Sequence, residues 1–350
     1  MTKQKFTQPN PGGANPHDYF GRKMIGDPLI AGDILRFYAN PVVAKHVDLD
    51  HLQPEPTQFF GPAHPIAGSK EVILDVPYIS RFRDEVGNAE VLIVNELKSA
   101  PSLYVLLQLA VQAILALYKR WTDAGRPASN RNFKVPVPIM VLVYCGPDDL
   151  PDDLSFQDIF DDIPEELRPL VLQYRLVVVN LRRFGYDNLP GKPDTQAVVE
   201  AMKRGTDGTL GDHLEGVIDR MASLPIDDRI MDIIGNITWL GGRVADVPPE
   251  RIVQVITNVI KGKEGVEMAE TIQRGIFQQG VAEGEARGEA RGKLNKGREV
   301  LLKILRARFK RVPRDVENTI RKMTDPIALD SWAVHAATCE SMNEFAEAIR

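Results

Sequence analysis

Near-continuous apolar runs, rather than strict alternation, mark the first half of this chain. Glu71–Tyr78 (EVILDVPY) and Ala89–Lys98 (AEVLIVNELK) flank a turn-forming stretch, Asp84-Glu85-Val86-Gly87-Asn88. Two later runs, Val135–Tyr144 and Arg175–Leu181, have the same character. Such runs predict strands buried on both faces, with the first two joined as a hairpin. Between the second and third lies Ser102–Trp121, a helix candidate carrying apolar residues on nearly every side, from Leu103 to Leu117. A helix apolar all round is expected to be covered all round. Strand, strand, helix, strand, strand predicts a mixed α/β sheet with a helical crossover.

Polar punctuation organises the rest. Asp27-Pro28 supplies an N-cap and a first helical residue for a helix carrying Leu29, Ile30, Ile34, Leu35 and Phe37, and Asn40-Pro41 should end it. Residues 50–70 read as loop. From Thr195 onward the period turns helical, at 195–204, 212–223, 226–240, 249–261 and 264–278, with Gly241-Gly242 and Pro248-Pro249 as breaks. Glycines then recur at 280, 284, 288 and 292, which fits either a helix with a small-residue stripe or a charged linker. The implied divisions are a flexible leader over 1–15, an α/β domain over 16–190, a helical region over 191–278, a Gly-x-x-x helix or linker over 279–297, and a helical domain over 298–350.

Composition narrows the setting more than the function. The chain has 350 residues, 43% of them hydrophobic and 26% charged, and its net charge is −5. That is ordinary for a soluble globular protein and gives no global pull toward nucleic acid. The local exception is 287–311, with ten Lys or Arg against two Glu. Arg298, Lys303, Arg306, Arg308, Lys310 and Arg311 are its candidate phosphate contacts. Residues 148–166 hold nine acids and read as a solvated acidic loop. Cys145 and Cys339 are too few for a disulfide scaffold and suit a reducing compartment. Without an N-terminal apolar segment or a run near ~18 apolar residues, a cytoplasmic protein with no membrane partner is expected.

The hairpin carries the candidate chemistry. Folding about Val86 sets Asp75 eleven residues before the tip and Leu97 eleven after it. A register near that value brings Asp75 beside Glu96 and Lys98, roughly 5 Å away across the ladder. Glu96 and Lys98, two apart, share one face of their strand. Two hard carboxylates and an ammonium on an apolar sheet suggest a divalent-cation site for phosphodiester cleavage. Asp75 and Glu96 would be ligands with the Leu97 carbonyl as a third, Mg²⁺ the expected ion, and Lys98 the catalytic lysine. The alternative is a surface salt bridge on an edge strand. Gln108 and Gln112, four apart on the following helix, either bond buried backbone or reach a phosphate beside Glu96.

These residues resemble a known family. His17-Asp18-Tyr19-Phe20, Leu74-Asp75-Val76-Pro77-Tyr78, Val94–Pro101 (VNELKSAP), Val177–Arg183 (VVVNLRR), the Gly-x-x-x repeat and Asp325-Pro326 with Leu329-Asp330-Ser331-Trp332 are similar to the Rpn family of recombination-promoting nucleases. These belong to the PD-(D/E)xK superfamily and are often labelled transposases. Many members have Gln where Lys98 stands, and often Arg and Tyr where this chain has Gln108 and Gln112. The resemblance implies a restriction-endonuclease-like core with a mixed central sheet followed by an all-α C-terminal region. It also implies a metal-dependent DNA endonuclease of low sequence specificity tied to recombination or mobile elements. His17 and Asp18 would support the site. Cutting both strands would require two sites, so a homodimer or higher oligomer is expected. The alternative is a catalytically silent fold binding DNA or protein through its helical tail. A strand-transferring transposase ranks behind both.

Overall fold

The computed structural model describes residues 15–56, 58–60, 72–73, 76–83, 89–100, 102–125, 133–148, 150–151 and 153–349. For 58–60, 72–73, 264, 275–291 and 326–327 the description covers backbone alone. Asp75, Leu74 and the Val86 turn tip fall outside it. The chain divides into two compact units, Met1–Gly275 and Ile276–Arg350.

The first unit opens with three helices, α1 (Pro16–Ile25), α2 (Pro28–Phe37) and α3 (Pro41–His46). Each starts on a short polar cap followed by proline: Asn15, Asp27 and Asn40 accept from the backbone N–H two residues on, at 3.0, 2.8 and 3.0 Å. Asn40-Pro41 therefore begins a helix as well as following one, and Asp18 lies in the first turn of α1 rather than at its cap.

Five strands form the sheet in the order β1 (Gln53–Pro54), β4 (Val76–Arg81), β5 (Glu90–Lys98), β6 (Val137–Tyr144) and β7 (Val177–Asn180). A separate pair joins β2 (Gln58–Phe60) to β3 (Val72–Ile73). The β4–β5 hairpin is antiparallel, from Val76↔Asn95 to Arg81↔Glu90, which centres it half a residue before Val86. The β5–β6 and β6–β7 pairs are parallel, and helix α4 (Val105–Asp123) makes the first crossover.

Side-chain parity then assigns the faces. Leu92, Val94, Leu142 and Tyr144 pack with Val105, Leu106, Leu109 and Ala113 of α4 in one buried cluster. On the opposite face Leu97 meets α1 so closely that a Cβ at Gly21 would fall 1.9 Å from its Cδ2. Tyr78 Oη donates to the Ile25 carbonyl at 2.6 Å. The expectation that α4 is covered on all sides is corrected. Its inner face is buried, but Leu107, Val111 and Ile114 on its outer face are about half exposed.

In the same unit, helices α5 (Pro193–Asp207) and α7 (Asp228–Val244) pack on α1, α6 (Leu210–Asp219) packs on both of them, and α8 (Pro249–Val259) packs on α6. The break expected at Gly241-Gly242 is absent, because both glycines lie inside α7. A Cβ at Gly241 would sit 3.5 Å from Leu214 of α6, an ordinary packing distance inside a continuous helix. Arg229 ties this helical layer together, joining Asp27 at 2.5 Å and Asp194 at 2.7 Å.

Helix α9 (Lys263–Phe309) is continuous through the Gly-x-x-x segment. In the second unit its C-terminal part supplies Leu301, Leu302 and Leu305 to a core shared with α10 (Arg314–Lys322), α11 (Pro326–Thr338) and α12 (Met342–Ala348). Val316, Ile320, Leu329 and Phe345 complete that core. Among the described residues, no helix is long and apolar enough to cross a membrane.

Candidate active site

Glu96 sits near the C-terminal end of β5, between β4 and β6, on the face that α4 covers. Its side chain is only 1% exposed. A carboxylate so deep in apolar surroundings loses several kcal/mol of hydration unless donors replace the water. Three do. Lys98 Nζ lies 2.7 Å from Oε1. Gln108 Nε2 donates to the same oxygen at 2.8 Å, and Gln112 Nε2 to Oε2 at 3.3 Å. The 3.6-residue helical period puts Gln108 and Gln112 on one side of α4, and β-strand alternation puts Lys98 on the same side of the sheet as Glu96.

Among the described residues, two buried side-chain atoms at this edge have no hydrogen-bond partner: Gln112 Oε1 and Tyr144 Oη. Tyr144 pairs with Lys98 across the parallel ladder, so both side chains leave the sheet on the face of Glu96. Burial chiefly raises the Tyr144 phenol, the Asp148 carboxylate adding to the effect and the Asp148 backbone opposing it, and the hydroxyl stays protonated. Sequence alone does not single out Tyr144. Its one signal is its position two residues after Leu142, the partner of Glu96, at the end of a strand. The turn behind it is tight: a Cβ at Gly146 would come 2.1 Å from the Ser99 carbonyl and 2.5 Å from Tyr144 Oη.

The backbone at this point also has a direction. The Lys98 carbonyl accepts from Cys145 N–H at 3.2 Å, toward β6. Carbonyls alternate along a strand, so the Leu97 carbonyl points the other way, toward β4. There the described ladder ends at Val76, whose carbonyl also accepts from the Asn95 side chain at 2.8 Å. Asp75 is the next residue of the chain and lies outside the described residues. Among the described residues no group of three or more His, Cys, Asp or Glu could hold a metal ion.

The other predicted residues lie apart from Glu96. His17 rests against Gly205 of α5, whose added Cβ would be 3.4 Å from its ring. Burial lowers the His17 pKa, and the neighbouring Asp18 carboxylate partly restores it. Asp18 in turn acts on Cys145, although burial is what chiefly raises that thiol, to about 12. Cys145 is thus held as a thiol and offers no nucleophile. His17 and Asp18 belong to the α1–α5 layer, across the sheet from α4.

In the second unit, the six basic candidates divide. Arg298 grips the Met323 carbonyl through Nε at 3.0 Å and Nη2 at 2.5 Å. Arg308 donates to the Ala336 carbonyl at 2.7 Å, and Arg306 pairs with Glu317 at 3.2 Å. These three hold the helices of the unit together. Lys303, Lys310 and Arg311 are exposed and have no side-chain partner among the described residues.

The fold and this edge define a mixed α/β protein with a buried, donor-saturated carboxylate where the hairpin meets the crossover helix. The sequence profile of the family described as "Putative transposase, YhgA-like" matches residues 15–225, and the chain belongs to that family, which is the Rpn family. No curated protein and no solved structure matched the chain in the same comparisons.

Proposed function

We propose that this protein is a metal-dependent DNA endonuclease of the PD-(D/E)xK type, with low sequence specificity, serving recombination or mobile-element processes. The observation that carries the reading is the Glu96–Lys98 pair at 2.7 Å, with Glu96 almost fully buried. An isolated structural carboxylate gains nothing from such a position, since an apolar side chain of similar volume would be as stable or more so. A site that must present a fixed oxygen to a cation has reason to keep it.

The residues suit a hard divalent cation such as Mg²⁺. Glu96 offers carboxylate oxygen, and the Leu97 carbonyl is directed toward the β4 side. In this reading the β4–β5 pairing continues one residue past Val76↔Asn95, so Asp75 stands opposite Glu96 at ~5 Å and completes the ligand set. The bound cation supplies charge neutralisation at a scissile phosphate and lowers the pKa of a nucleophilic water. With a cation held there, Lys98 would be the residue to orient a water and to stabilise negative charge developing on phosphorus. Gln108 and Gln112 keep the Glu96 carboxylate in one rotamer, and the unpartnered Gln112 oxygen can accept from a water in the same pocket. Tyr144 Oη adds a protonated donor beside Lys98. His17 and Asp18 act from the opposite layer, as supports of the sheet edge.

Family membership supports the biological assignment, and the exposed Lys303, Lys310 and Arg311 support DNA as the partner. Supercoiled plasmid incubated with Mg²⁺ is the test. Nicking should appear with wild type and vanish with EDTA, Asp75→Ala or Glu96→Gln. A folded Asp75→Ala protein that nicks as fast as wild type overturns the site. The silent-module reading gains only if the metal-loaded wild type binds DNA and never cuts it.

A further inference from the structure

The outer face of α4 combines two properties that rarely coexist on a solvated helix. From Ser102 to Tyr118 the sequence contains no charged residue. Yet Tyr104 is 75% exposed, Leu107 and Val111 46%, and Ile114 54%, with Leu103 beside them at 47%. Helices facing water normally carry charge there, and contiguous apolar patches of this kind mark interaction sites. The spacing has a definite form. Positions 104, 107, 111, 114 and 118 alternate by three and four, the spacing of a two-helix coiled seam, with Tyr118 at its end partly buried against the sheet-side core.

We propose that this seam is where a second copy of the same chain docks, α4 against α4 about a twofold axis. Two features favour a second copy over other occupants. An isologous contact must tolerate its own image, and a charge-free seam brings no like charges together in any register. The area also suffices. The five exposed residues present on the order of 500 Å² per copy, so about 1,000 Å² is buried in all, which reaches the lower bound for a specific interface. The oligomer contact thereby falls on the crossover helix α4. That is also the helix that holds Glu96 through Gln108 and Gln112.

Val111 is the centre of the seam and meets its own copy whether the two helices run parallel or antiparallel. Both native cysteines are buried, so a new surface thiol reports alone. Val111→Cys should form a covalent dimer on mild oxidation of the full chain, while Glu250→Cys, exposed on α8, should not. Light scattering of the wild type at micromolar concentration should give a dimer. Leu107→Glu/Ile114→Glu should give a monomer with an unchanged circular dichroism spectrum, since both positions already face solvent. A monomeric wild type overturns the proposal and leaves the face to another occupant, such as a different segment of the chain or an unrelated partner. A dimer that survives the double substitution, or Val111→Cys that cross-links no better than Glu250→Cys, overturns it equally.

Discussion

Replacing Lys98 by methionine tests the electrostatics of the site without reference to catalysis. The substitution keeps the aliphatic stem and removes the ammonium 2.7 Å from Glu96. The carboxylate, 1% exposed, is left with two neutral amide donors, Gln108 and Gln112. Breaking a fully buried ion pair from one side costs about 3–5 kcal/mol, because the surviving charge is stranded. The Lys98 side chain is 31% exposed, so water can partly enter the space it vacates. The expected loss is therefore smaller, roughly 1.5–2.5 kcal/mol. In a unit of this size that is a drop in Tm of about 3–8 °C. Glu96→Gln should cost less, about 1 kcal/mol or under, because the stranded Lys98 can reach solvent while the amide keeps the shape of the site. Calorimetry of the two variants and of the Glu96→Gln/Lys98→Met pair gives the coupling directly. If the cation binds at Glu96, millimolar Mg²⁺ should recover most of what Lys98→Met loses, since ligand at ten times its Kd contributes about 1.4 kcal/mol. The reasoning fails if Lys98→Met is as stable as wild type, or if Glu96→Gln is the more damaging change.

Other parts of the molecule give separate expectations. The lowered pKa of His17 means the folded state resists protonation that the unfolded chain accepts. Stability should hold above the ordinary histidine value of 6.5 and fall as pH drops below it toward the folded pKa; His17→Asn should flatten the Tm profile between pH 7.5 and 5. Gly146→Ala should lower stability by roughly 1–3 kcal/mol in urea titration, because its Cβ would strike the fixed Ser99 carbonyl. Gly21→Ala should cost less, since the group it strikes is the end of the Leu97 side chain, which can rotate. Lys303→Gln/Lys310→Gln/Arg311→Gln should weaken DNA binding and reduce the slope of log K against log salt by about 2–3, while leaving thermal unfolding alone. Arg298→Met should instead destabilise the second unit, by severing the bonds to the Met323 carbonyl.

The sheet is legible in the sequence because its strands are buried on both faces, and continuous apolar runs such as Val91–Val94 seldom arise outside a two-sided core. The hairpin register follows from symmetry about the Val86 turn and misses by half a residue. That error is small in position, yet it decides whether Asn95 or Glu96 stands opposite Val76. Helices α1 and α3 are not legible as helices. Each rests on an Asn-Pro cap that reads equally well as the end of the preceding element. Face assignment is beyond periodicity for α4, because its polar residues between Leu103 and Leu117, Gln108 and Gln112, bond Glu96 instead of marking the solvent side. At the site, Glu96 and Lys98 can be paired from their spacing alone. The closure by Gln108 and Gln112 requires the crossing of α4 over β5, a tertiary fact. The basic stretch 287–311 shows the reverse limit. Its charge is evident in sequence, but whether each guanidinium is spent on a carbonyl, as in Arg298 and Arg308, depends on packing partners tens of residues away.

The central claim is that one cation is shared by the ends of β4 and β5. A crystal of the full chain soaked in Mn²⁺ and measured at the manganese absorption edge tests it most directly. The account predicts an anomalous peak within about 2.0–2.3 Å of oxygens from both Asp75 and Glu96, with the Lys98 ammonium withdrawn from Glu96. A Lys98–Glu96 contact unchanged at 2.7 Å with no ion beside it, or an ion bound without either carboxylate, contradicts the account.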